Sequence, residues 1–170
     1  MAGGEVLGFE ESARQLVPGL MRRAMVLTRD KAAAEDLVQE TLTRLFVRWS
    51  RIDPAGNVQA YALQTLYRLF LRSRRPWESA RAVVPEGPTG ERIADAVALR
   101  RSLGDALAVL KPIERAVVVL RYVDDRPVEE VARLLGRRAG SVRVTAHRAL
   151  AKLRAVRALD PAREVEIDHA

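Results

Sequence analysis

The chain has 170 residues, 48% of them apolar, which is enough for one ordinary domain or two small ones with real cores. No apolar run approaches the roughly 18 residues a membrane span needs, and the absence of cysteine removes disulfides, thiol catalysis and thiolate metal sites together. A net charge of +7, carried by 29 cations that are nearly all arginine, favours a polyanion, and in a cytoplasm that means nucleic acid.

The N-terminus has neither the basic start nor the apolar stretch of a secretory signal. Apolar residues then recur at three and four along almost every segment, so the fold class is all-α. Phe9, Ala13, Leu16, Leu20, Ala24 and Leu27 form one stripe, which Pro18 is expected to break into two helices. Residues 31–49 form a stronger helix. Leu37, Thr41, Leu45 and Trp49 make one ridge, with Val38, Leu42 and Phe46 beside it. Glu35 and Asp36 are expected in its first turns, complementing the helix dipole. Ser50 to Asn57 holds Pro54 and Gly56 and is a loop, with Asn57 as N-cap of a helix carrying Tyr61, Leu66, Leu69 and Phe70. That helix leaves through Arg72, Arg74 and Arg75 and stops at Pro76.

Residues 79–90 contain two prolines and two glycines without an apolar face. They form the one convincing linker, flexible and dividing the chain into two helical units. Beyond it Ile93, Val97, Leu103, Leu107 and Leu110 mark a helix, and Pro112 opens another at its first turn. The run Val117–Leu120 could pass for a strand, but it has no partner to pair with.

Residues 127–154 form a helix-turn-helix. A short amphipathic helix ends at Gly136, whose freedom at positive φ allows the turn. Arg137, Arg138, Ala139 and Gly140 make that turn, and Ser141 is a cap or first-turn residue of the second helix. Val142, Ala146, Ala149, Leu150 and Leu153 face inward. Arg143, Val144, His147, Arg148 and Ala151 therefore face outward together. Residues 99–154 carry a net +7 against +3 for residues 1–78, and residues 136–154 hold no acid at all. Arg143 and Arg148 can fork onto guanine or grip phosphate, Val144 can pack on a thymine methyl, and His147 can donate a hydrogen bond. Arg137 and Arg138 suit phosphates that fix register. The competing reading is a helical hairpin with solvated arginines in a protein-binding module.

Two blocks of sequence resemble bacterial RNA polymerase sigma factors of the extracytoplasmic-function (group IV) type, in the sigma-70 family. Residues 110–122, 128–136 and 140–154, from Leu110-Lys-Pro-Ile-Glu-Arg to Ala151-Lys-Leu-Arg154, are similar to sigma domain 4. Ala34-Glu-Asp-Leu-Val-Gln-Glu-Thr-Leu-Thr-Arg-Leu-Phe46 looks like the region 2.2 helix of domain 2, and the helix around Ala60-Tyr61 resembles regions 2.3 and 2.4. The resemblance implies domain 2 over 9–78, a linker over 79–92, domain 4 over 93–155 and an acidic tail over 156–170. The tail reads as disorder, with shielding of the basic face as the alternative.

It further implies that Asp36, Gln39, Glu40 and Arg44 dock on the β′ clamp helices of core polymerase. The loop Ser50–Asn57, including Asn57, with Tyr61, Tyr67, Arg68, Arg72, Arg74 and Arg75, would hold the single-stranded −10 element by stacking and charge. Arg137, Arg138, Ser141, Arg143, Val144, His147 and Arg148 would engage the −35 duplex while domain 4 rests on the β flap. Arg68 stands where the family often has asparagine, Tyr61 also suits a core position, and Pro127 replaces the usual serine or threonine cap. The implied partners are core polymerase, promoter DNA and, as a candidate, an anti-sigma factor, in the cytoplasm, with no membrane and no small-molecule substrate. No cofactor, metal or catalytic residue is expected, because His147 and His169 lack ligand sets and no phosphate-binding fingerprint occurs. The rivals are a stand-alone helix-turn-helix regulator and a helical adaptor.

Overall fold

The computed structural model describes residues 3–52, 58–73 and 106–158. The expected linker at 79–90, the start of the expected 93–110 helix, the Asn57 cap, Arg74, Arg75 and the tail from residue 159 lie outside them. Among the described residues every regular element is helical. They are α1 (Gly3–Thr28), α2 (Lys31–Val47), a 3₁₀ turn (Trp49–Arg51), α3 (Val58–Arg72), α4 (Pro112–Val118) with a π-helical continuation (Val119–Val123), α5 (Val128–Leu135) and α6 (Ala139–Ala158).

Helix α1 runs unbroken through Pro18, contrary to the expected division. Proline removes one backbone hydrogen bond and costs about 3 kcal/mol inside a helix. Burial of Leu20, Ala24 and Leu27 beyond it holds the second half in place and outweighs that cost. Thr28 Oγ1 donates to Ala24 O at 2.9 Å, and Arg29 turns the chain at a φ of 60°. The α2 cap is Asp30, whose side chain accepts from Ala33 N at 2.7 Å. Its first turn contains no acid, so Glu35 and Asp36 lie deeper than expected. Trp49 leaves the helical ridge for the 3₁₀ turn, where its ring and that of Phe46 meet Phe9 edge-on at 5.4 and 5.0 Å.

Pro112 is at the start of α4 as expected, and Glu114 accepts from the Lys111 backbone N–H at 2.9 Å. Val117–Leu120 is helical and fully buried. The π turn closes with the Asp124 N–H donating to Val119 O, five residues back, at 2.9 Å.

The two halves share one core among the described residues. Leu20, Ala24, Leu37, Leu66, Tyr67 and Phe70 are continuous with Ala116, Val117, Leu120, Val131, Leu135 and Val142. Polar contacts cross the same junction. Arg23 Nε donates to Asp124 Oδ2 at 2.7 Å with both side chains largely buried. The Arg115 guanidinium, 2% exposed, donates to the carbonyls of Leu27 at 2.6 Å, Leu107 at 3.1 Å and Leu110 at 3.3 Å. Gln64 Nε2 reaches Arg133 O at 3.4 Å. The two units expected to be separate are therefore docked. The apolar faces of α1 and α3 extend past what α2 can cover, and α4 and α5 cover the rest.

Candidate nucleic-acid interface

The helix-turn-helix forms as its sequence predicts, except that Ala139 and Gly140, expected in the turn, already belong to the second helix. Val131, Ala132, Leu134 and Leu135 of α5 are buried against Val142 and Ala146 of α6. Gly136 takes φ 63° and ψ 40°. Its N–H meets Arg133 O at 3.3 Å and the Arg137 N–H meets Ala132 O at 2.8 Å, the double bond of a Schellman turn. Pro127 supplies the extended residue before α5 with no side-chain cap bond. Helix α6 begins at Ala139, so Ser141 is its third residue rather than its cap.

Arg137, Arg138, Ser141, Arg143, Val144, His147 and Arg148 are all exposed. Val144 shows half its surface in the middle of this face. Inward, Val142, Ala146 and Ala149 are buried, while Leu150 and Leu153 are half-buried. Two side chains in the acid-free stretch have partners that sequence reading missed. Lys152, at the flank beyond Arg148, donates to Glu114 Oε2 at 2.7 Å and Oε1 at 2.8 Å. Burial works against the charged form of Glu114, but the Lys152 hydrogen bond and the Lys111 N–H outweigh it and hold the carboxyl below its ordinary range. Arg143 Nη2 meets Glu129 Oε1 of α5 at 2.9 Å. Helical spacing places Lys152 half a turn round from Arg143 and one turn beyond Arg148, whereas nothing in the sequence pairs Arg143 with Glu129.

The residues expected at single-stranded DNA separate into two sets. Tyr61, Arg68 and Arg72 follow one another at helical spacing on one side of α3, with Tyr61 half-buried and the two arginines exposed. Tyr67 stands on another side and is fully buried, so it offers no ring to a base in this arrangement. It packs toward the second half, near Arg23, Asp124 and Arg126. Burial first, then the Asp124 charge, pushes its phenol well above the ordinary value, against the opposing effect of Arg23 and Arg126. Its hydroxyl finds no hydrogen-bond partner among the described residues.

Asp36, Gln39, Glu40 and Arg44 all lie exposed along α2. Glu40 and Arg44 pair at 2.7 Å one turn apart. Beside them a groove of about 520 Å³ runs between α1 and α2, lined chiefly by Phe9, Val17, Met21, Val38, Leu42 and Phe46. Among the described residues no cluster of three or more His, Asp or Glu could hold a metal, and no helix is long and apolar enough to cross a membrane.

Two family models match the chain, sigma-70 region 2 over residues 13–76 and sigma-70 region 4 over residues 100–153. The RNA polymerase sigma-E factor of Streptomyces coelicolor is 40% identical over 158 residues, covering 89% of this chain and 86% of that one. The protein of the same name in Streptomyces avermitilis is 42% identical, covering 91% and 87%. The ECF RNA polymerase sigma factor SigL of Mycobacterium tuberculosis is 32% identical, covering 79% and 80%. Among solved structures, the sigma factor RpoE in complex with the anti-sigma factor NepR from Bartonella quintana superposes with a TM-score of 0.66 at 22% identity. It covers 90% of this chain and 98% of that one. CnrH in complex with the cytosolic domain of CnrY gives 0.66 at 20%, covering 89% and 88%. These two likenesses speak for the fold, while the family models and the curated relatives carry the assignment. The chain belongs to the sigma-70 family of RNA polymerase sigma factors, in its extracytoplasmic-function group.

Proposed function

We propose that this sigma factor divides promoter recognition between the two exposed basic faces, with α6 reading the −35 duplex and α3 holding the separated −10 strand. The observation that carries the reading is the exposed set Arg143, Val144, His147 and Arg148 at helical spacing on the second helix of a helix-turn-helix, where a recognition helix meets base edges. Arg137 and Arg138 grip phosphates at its start. On α3 the residues in play are Tyr61, Arg68 and Arg72, with Asn57, Arg74 and Arg75 assigned by sequence alone. Tyr67 has a packing role in the docked state. Asp36, Gln39, Glu40 and Arg44 form the docking face for core polymerase, in a cytoplasmic setting. The nucleotide chemistry belongs to the polymerase, and this chain supplies no catalytic group. An anti-sigma factor is a further partner of the same faces, since the structural relative RpoE was solved in complex with one.

The docked halves add a mechanical requirement. Elements numbered −35 and −10 lie about 25 base pairs apart, roughly 85 Å along B-form duplex at ~3.4 Å per pair. In the docked state α3 and α5 touch through Gln64 and Arg133. Engaging both elements at once requires the halves to part. The test is run-off transcription by reconstituted holoenzyme on a genomic promoter library. A defined set of start sites that weakens when Arg143 and Arg148 are both changed to alanine supports the reading. Specific repression without any specific start would instead identify a stand-alone regulator.

A further inference from the structure

The Arg143–Glu129 contact joins the two helices of the DNA-reading unit rather than two turns of one helix. Arg143 lies at the edge of the outward face, nearest α5, and Glu129 lies in the first turn of α5. Their side chains meet at 2.9 Å while remaining 61% and 66% exposed. An exposed pair of this kind adds little to folding stability, so any importance it has concerns what Arg143 does next. A free arginine must give up much rotamer freedom to present its planar fork to a base edge. Glu129 occupies one N–H of Nη2 and leaves the other donors of the guanidinium available to DNA. A carboxylate at this rim also carries a cost, because it repels the phosphates that Arg137 and Arg138 attract.

We propose that Glu129 is the positioning residue for Arg143, fixing its fork toward the −35 base edge and trading general affinity for sequence discrimination. The proposal rests on the assignment of Arg143 to base reading. The two effects of Glu129 run in opposite directions, which makes them separable. Removing the carboxylate strengthens binding to DNA of any sequence, since one repulsion is gone. It also weakens discrimination between the preferred −35 element and its single-base variants, since the fork is no longer held. A purely structural residue would lower both quantities when removed. A merely solvated acid would raise affinity for every sequence equally.

The experiment uses reconstituted holoenzyme carrying Glu129→Ala, Glu129→Gln, Arg143→Ala or the Glu129→Ala/Arg143→Ala pair. The readout is the ratio of open-complex formation on the preferred promoter to that on each −35 base-pair variant, together with binding to duplex lacking the element. Glu129→Ala is expected to tighten binding to the plain duplex while lowering the ratio about ten-fold at one base pair, the scale of one bidentate contact. Glu129→Gln keeps an acceptor oxygen and should retain most of the ratio while sharing the tighter plain binding. Arg143→Ala should lower the ratio at the same base pair, and the double variant should lose nothing further. A normal ratio in Glu129→Ala, beside a reduced one in Arg143→Ala, overturns the proposal and leaves the role of Arg143 intact. Additive losses in the double variant also overturn it, because Glu129 would then be reading a base itself. A normal ratio in Arg143→Ala overturns the underlying assignment instead.

Discussion

Helices α3 and α6 both carry arginines toward DNA in the proposed function, yet they are embedded differently. Among the described residues helix α6 rests chiefly on α4 and α5, with Ala149 also against Leu107 and Leu110, so one side is buried and a broad face remains open. Helix α3 is packed by α1 and α2 from its own half and by α4 and α5 from the other. Its exposed residues are Gln59, Arg68 and Arg72, with Tyr61 half-buried beside the two arginines, and Tyr67 is fully covered. The contrast shows that a helical pattern reads correctly when a helix has one neighbouring layer. It misleads when a second layer arrives from far along the chain.

The junction that brings α4 and α5 onto α3 also offers the largest effect, because Arg115 of α4 ties that half to Leu27 of α1. Replacing Arg115 with methionine keeps the stem but strips donors from three buried carbonyls. The expected loss is about 3 kcal/mol or more of folding stability, because hydrogen bonds from a charged donor are worth ~1.5–3 kcal/mol each. Urea titration followed by far-UV circular dichroism measures it. A midpoint equal to that of the parent would show that the two halves do not depend on this junction.

The next effect belongs to α6. Arg148→Ala should cost about 1–3 kcal/mol of discrimination at one −35 base pair. Arg138→Ala should weaken binding to all sequences alike and lower the salt slope by about one. Competition binding over a salt series separates the two patterns. Identical behaviour of both variants would reduce the α6 face to an unspecific phosphate grip.

Within α3 the comparison becomes finer. Tyr67→Phe removes a buried hydroxyl that has no partner and is expected to be neutral or stabilising by about 1 kcal/mol, with promoter opening unchanged. Tyr61→Ala should slow opening, as followed by permanganate footprinting of the −10 strand. A Tyr67→Phe variant that opens promoters poorly would return Tyr67 to the DNA-contacting set.

The smallest effect is electrostatic. Glu114 has a folded pKa below its ordinary value near 4.5, so its charged form is favoured by folding. That contribution is fully present at neutral pH and above the unfolded value, and is lost as pH falls through the lowered folded value. The Glu114→Gln variant should therefore show a weaker loss of stability between neutral and acid pH than the parent. Thermal melts at matched pH values measure the difference, and superimposable profiles would mean that Lys152 and Lys111 do not stabilise the charge.

Much of the site was legible because its determinants are local. The Gly136 turn follows from a glycine at the end of an amphipathic stretch, and the outward set from Arg143 to Arg148 follows from 3.6-residue periodicity. Pro112 announced the start of α4 for the same reason, since a missing N–H in the first turn costs no helical hydrogen bond. Asp30 carries the signal of an N-cap, an aspartate three residues before the N–H it accepts.

What the amino-acid order determined by itself was helical class, the helix-turn-helix and the two basic segments, all of which depend on contacts within a few residues. Only the tertiary structure decided that α1 passes through Pro18 and that Tyr67 is buried. The same holds for the pairings of Arg23 with Asp124, 101 residues away, and of Glu129 with Arg143. Those outcomes depend on which surfaces meet across the chain. Burial of apolar area there is large enough to override a proline's local cost and to bury an arginine among backbone carbonyls.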